Sequence, residues 1–147
     1  MYLVDTDVIS GGAPTKGLRN AAVAAWMDRN SDQLFISAIT VAEITDGIEK
    51  SRRESATRKA AALEEWLQAL FHLYGHRILS FDLSAAVAAG KLSDRARAIG
   101  CRPGFADLAI AATAAVHDLI VLTHNVRHFA SLEVPARDPL DIISQAE

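Results

Sequence analysis

Apolar residues fall along the chain in short runs that alternate with longer helical stripes. Tyr2–Val4, Gln33–Ser37 (QLFIS), Arg77–Phe81 (RILSF) and Leu119–Leu122 are runs of strand length, and Leu140–Ile143 is expected to add a fifth. Between them, helices are predicted over Leu18–Asn30, Thr40–Glu49, Ser55–Tyr74, Leu83–Ile99 and Phe105–His117. In the third of these, Leu63, Trp66, Leu67 and Leu70 form an i, i+3, i+4, i+7 stripe, so one face is packed. The stretch Gly11–Gly17 (GGAPTKG) is turn-rich, and Gly100, Pro103 and Gly104 separate the last two helices. Asp82 stands where a helix cap belongs. Strands alternating with helices imply parallel pairing through crossovers. The expected fold is α/β, a single three-layer domain over 1–147 with a parallel sheet of four to five strands flanked by helices.

In such folds ligands bind outside the carboxyl ends of the strands, so chemistry should follow apolar runs immediately. Asp5 does so after Leu3 and Val4, and Thr123-His124-Asn125 does so after Leu119–Leu122. Asp5 also reads as a turn and cap residue. Asp7, two residues on, makes the pair a concentration of negative charge that calls for a cation. Glu43 completes a capping-box spacing with Thr40, a reading that needs no ligand. Yet Thr40, Glu43 and Gly47 share one helix face, and a glycine there admits a close approach. Asp107 opens a helix that continues LAIAATAAV, apolar nearly all round and hence buried. The helix dipole accounts for an anion in that first turn, but the nearest basic residue in sequence, Arg102, precedes the Pro103-Gly104 break. A metal partner explains Asp107 better than solvent does.

Were Asp5, Glu43 and Asp107 to meet, a cation would be required. Two carboxylates ~4 Å apart repel by about 4 kcal/mol at an effective dielectric near 20. Magnesium suits an all-oxygen set, because it takes few carboxylates and keeps several waters.

The 147 residues suffice for one domain with a hydrophobic core. The charged share of 22% is ordinary, and a net charge of −3 excludes a protein that coats nucleic acid by bulk electrostatics. One cysteine, Cys101, leaves no internal disulfide and no thiolate zinc cage. The opening MYLVDTDVIS lacks the pattern of a signal peptide, and no apolar stretch approaches ~18 residues, so no membrane span is expected and a cytoplasmic location is.

The segments YLVDTDVIS, ISAITVAEITDGIE, GFADLAIAATA and LIVLTHNVRHF, with RILSFD between them, occur in the order and approximate separations of the PIN-domain ribonucleases. Over nearly the whole chain the sequence resembles the toxin of VapBC-type toxin–antitoxin pairs. The resemblance implies a metal-dependent endoribonuclease that hydrolyses RNA phosphodiester bonds with Mg2+ or Mn2+, water being the nucleophile. It implies Asp5, Glu43 and Asp107 as acidic ligands, a homodimer, and a cognate antitoxin whose C-terminal segment covers the site. Many members carry a fourth acidic residue where this chain has Asn125, which brings oxygen without charge and leaves a single metal as the default. Thr6, Asp7, Thr40 and Thr123 are then supporting residues.

Lys50, Arg52 and Arg53, with Arg58 and Lys59, form a basic cluster beyond the glutamate helix. It reads as a solvated helix face or as RNA-backbone guidance. The His72/His76 and His124/His128 pairs have i, i+4 spacing but no evident third ligand, which disfavours zinc. Trp26 and Trp66 lie on apolar helical faces and read as core. Two rivals remain. Asp5-Thr6-Asp7-Val8 approximates the signature of haloacid-dehalogenase phosphatases, with Asp5 as nucleophile, although no later lysine after a strand and no paired aspartates complete that site. The other is an inactive PIN-like module that only binds partners.

Overall fold

The computed structural model describes residues 1–16 and 20–145. Five strands form one sheet in the order β3-β2-β1-β4-β5, every pair parallel: β1 Tyr2–Val4, β2 Leu34–Ser37, β3 Ile78–Leu79, β4 Ile120–Leu122 and β5 Ala136–Arg137. Strand β1 lies at the centre, with Leu3 opposite Phe35 on one side and Val121 on the other. Its side chains alternate between two cores, as the pleat requires. Leu3 and Val121 face a core shared with helices α5 (Leu83–Ala98) and α6 (Phe105–Val116). Val4 and Leu122 face the other, shared with α1 (Thr6–Ile9), α2 (Ala21–Arg29), α3 (Ala38–Arg53) and α4 (Thr57–Tyr74). Two short helices, α7 (Val126–Ala130) and α8 (Pro139–Gln145), follow β4 and β5. The three-layer parallel architecture is therefore the one the alternating runs imply.

Local chemistry sets the helix ends. Ser37 caps α3 by accepting from the Ile39 amide at 3.1 Å, and Asp82 caps α5 by accepting from Ala85 at 2.9 Å. Helix α2 starts later than its alanine-rich stretch suggests, because the Asn20 side chain accepts from the Val23 amide. Leu18 and Arg19, expected in that helix, and Gly17, expected in the preceding turn, lie outside the described residues. Helix α3 begins before Thr40 and runs past Glu49 to Arg53.

The fifth strand is a correction. Leu140–Ile143 is helical, and the strand is Ala136–Arg137, paired with Val121 and Leu122. The reason is Asp138-Pro139. Asp138 accepts from the Leu140 amide at 2.9 Å, and proline suits a first helical turn, where its missing N–H costs nothing. A four-residue stretch with three apolar residues, Leu140, Ile142 and Ile143, is too short to carry a periodicity that separates helix from strand. Among the described residues no helix is long and apolar enough to cross a membrane.

Candidate active site

The strand order reverses direction between β1 and β4, and the residues leaving those two strands meet there. Asp5 leaves β1 with its amide still donating to the Leu122 carbonyl at 2.9 Å, so the ladder continues one residue beyond the strand. Its carboxylate accepts from the Thr6 amide and from the Thr123 hydroxyl, both at 2.8 Å. Asp5 is 6% exposed. Burial pushes its carboxyl up to about 6; the Thr123 and Thr6 hydrogen bonds oppose this, and the charges of Asp7 and Asp107 add to it.

Asp7 turns to the loop after β4. It accepts from the His124 amide at 3.1 Å and from the Asn125 side-chain amide at 2.8 Å. Thr123, fully buried, also accepts from the Asn125 amide at 3.0 Å, so one hydroxyl ties the two strand ends together. Glu43 enters from α3. The Thr6 hydroxyl donates to its Oε1 at 2.6 Å and lies 3.1 Å from the buried Thr40 hydroxyl. Glu43 therefore does not close a capping box with Thr40: Ser37 already caps the helix, and the carboxylate points across to α1.

Asp107 sits half-buried in the first turn of α6, just before the buried stretch Leu108–Ala114, while Phe105 and Val116 at the helix ends are exposed. Its neighbour is not Arg102 but His128 on α7, whose Nδ1 is 3.2 Å from Asp107 Oδ2. His124 pairs in the same way with Asp138 at 3.2 Å. The two histidines at i, i+4 thus meet separate carboxylates instead of sharing a metal, and their spacing alone does not name those partners.

The structure thus joins Asp5, Thr6, Asp7, Thr40, Glu43, Thr123 and Asn125 in one hydrogen-bonded group, with Asp107 close enough for its charge to act on Asp5. Among the described residues, no three His, Cys, Asp or Glu side chains stand together as a ready metal cage. Direct chelation by all of Asp5, Glu43 and Asp107 at once is not assembled in this conformation. What fits is an oxygen-only donor set around a buried, like-charge-burdened carboxyl, suited to a hydrated hard cation held by one or two carboxylates.

The basic cluster divides. Arg52 pairs with Glu49 and Glu64, and Lys50 lies 4.0 Å from Glu54. Lys50 and Lys59 line a cavity of about 340 Å³ that also reaches Thr6 and Glu43. Gly47 lines it too, and a Cβ there would meet nothing within 4 Å. The glycine faces open space rather than a neighbouring backbone. Trp26 is core, edge-on to Tyr2, whereas Trp66 is only partly buried and lines the cavity.

Comparison with known proteins agrees with this geometry. The toxin FitB of Neisseria gonorrhoeae is 34% identical over 140 residues, covering 95% of this chain and 98% of that one. The VapC ribonuclease Y4jK of Sinorhizobium fredii is 32% identical over 140 residues, covering 95% and 97%. The crystal structure of FitAcB from N. gonorrhoeae superposes with a TM-score of 0.81 over 95% of this chain and 99% of that chain, at 34% identity. The PIN domain model matches residues 2–134, which overturns the phosphatase reading of Asp5 and Asp7. The chain belongs to the PIN domain family.

Proposed function

We propose that the protein is a divalent-metal-dependent endoribonuclease, the toxin of a toxin–antitoxin pair. The observation that carries this reading is Asp5, a carboxyl buried at the sheet's reversal point and raised to about 6 by burial and two neighbouring carboxylates. A carboxyl so placed gains most from a divalent cation, because the cation removes the repulsion that burial magnifies. Asp5 and Asp107 would hold Mg2+ or Mn2+, with Glu43 acting on the ion through its bound water. When bound, such an ion supplies a Lewis acid for the phosphodiester and an acidified water.

The remaining work belongs to the chain. Thr123 and the Thr6 amide fix both Asp5 oxygens, so the carboxylate is oriented before any ligand arrives. The Thr6 hydroxyl fixes Glu43 Oε1 and leaves Oε2 to accept from a water. Asp7 holds the loop after β4 through His124 and Asn125, which keeps the Asn125 amide at the edge of the site without adding charge. This supports one metal rather than two. Lys50 and Arg53, both exposed, are the RNA-facing members of the basic cluster; Arg52, held by two glutamates, is the weaker candidate.

A cognate antitoxin as inhibitor, a homodimer, a single domain over the whole chain and a cytoplasmic location complete the reading. They rest on the family likeness, as does the absence of a membrane partner. The test is cleavage of a labelled RNA by the purified chain freed of co-purifying protein. Cleavage is expected in Mg2+, with none in EDTA. Asp107→Ala should lower it at least about a hundredfold while circular dichroism stays native. Undiminished cleavage in EDTA, or by Asp107→Ala, would refute the reading.

A further inference from the structure

We propose that the cavity beside Glu43 is a subsite for one unpaired nucleotide of the RNA, with the Trp66 ring as stacking wall and Lys16, Lys50 and Lys59 as phosphate contacts. The proposal rests on the ribonuclease reading and adds a place where the strand is held.

The cavity, about 340 Å³, lies between α3, α4 and the segment that follows α1. Thr6 and Glu43 are among its lining residues, so a group bound in it is continuous with the candidate active site. Along α3 it is bordered by Glu43, Gly47, Lys50 and Glu54, spaced i, i+4, i+7 and i+11. At 1.5 Å per residue that stripe is roughly 16 Å long, ample for one nucleotide with its flanking phosphates. The missing side chain at Gly47 leaves the floor open.

Two chemistries converge on this space. Lys16 and Lys59 enter none of the ion pairs found among the described residues, and Lys50 makes only an exposed contact with Glu54 at 4.0 Å, too weak to hold its ammonium. Beside them, Ile44, Leu63 and the indole of Trp66 supply an apolar lining, with Leu63 and Trp66 at i+4 and i+7 from Lys59 on the same face of α4. Amines next to a flat aromatic in one cavity suit a single-stranded nucleotide, whose base stacks while its phosphate meets the amines. A duplex offers the phosphates but no free base face, since its bases are already stacked inside the helix.

The test uses the full chain in EDTA, where no cleavage is expected, with an eight-nucleotide RNA. Trp26→Phe makes Trp66 the sole emitter. Binding should quench that emission. Trp66→Leu should weaken binding about tenfold or more, with Trp66→Phe close to the parent, which separates stacking from misfolding. Lys50→Ala with Lys59→Ala should lower the slope of log affinity against log salt by about 1.4, from ~0.7 per contact. In Mg2+ the same variants should raise KM and leave kcat nearly unchanged.

Unchanged emission with unchanged affinities overturns the subsite. So does equal quenching by an acidic peptide, which would make the cavity a protein-binding site. Cleavage by the parent with an unaltered KM in every variant removes the subsite and leaves the ribonuclease. Binding that weakens as described without cleavage in Mg2+ does the reverse. A parent chain that binds no RNA removes both.

Discussion

At Asp5 two hydrogen bonds and two like charges act on one carboxyl, and burial outweighs the hydrogen bonds in setting its pKa near 6. The folded value lies above the ordinary 3.8, so protonation favours the fold. That contribution is fully present below about pH 4 and is lost as pH rises through 6. Asp5→Asn should therefore stabilise the metal-free domain at pH 8 by about 1–3 kcal/mol, a gain that falls to roughly half at pH 5 and vanishes only below about pH 4. Urea unfolding in EDTA at the two pH values checks this; a loss of stability at pH 8 contradicts it. The asparagine keeps both contacts by accepting from the Thr6 amide and donating to Thr123. Thr123→Val removes the donor that eases the charge and should destabilise by about 1–3 kcal/mol at pH 8, less at pH 5, in the same assay. The sequence made Asp5 and Thr123 visible because each ends an apolar run. It hid the Asp107–His128 contact, since α6 and α7 are brought together by packing across β4 and no local spacing encodes that.

Among the elements, α3 shows how one spacing supports two readings. Thr40 and Glu43 have the separation of a capping box, but the helix starts two residues before Thr40 and is capped by Ser37. Ser37→Ala should thus cost about 0.5–2 kcal/mol, read by thermal melting, although it makes none of the acidic contacts. Glu43→Gln should cost less than about 0.5 kcal/mol and yet lower RNA cleavage, because Glu43 does not cap. The reverse pattern would restore the capping box. Helix α8 makes the same point. Asp138-Pro139 carries the helix-start signal, but the three apolar residues behind it, Leu140, Ile142 and Ile143, are too few to show a period. Trp66 lay on a legible apolar stripe, whereas the cavity beside it depends on α1 and its following turn, far away in sequence.

Across the whole molecule, the order β3-β2-β1-β4-β5 puts the reversal point between the two strands that deliver Asp5 and Thr123. The sheet brings together residues more than a hundred positions apart, and α3 and α6 add Glu43 and Asp107 from opposite layers. Such a cluster strains the unliganded fold and rewards whatever neutralises it. Magnesium titrated into the metal-free chain at pH 8, followed by calorimetry, tests this most directly. Saturable binding should appear in the parent chain and vanish in Asp5→Asn, with the fold intact in both. An Asp5→Asn chain that binds the ion as tightly as its parent would contradict the account.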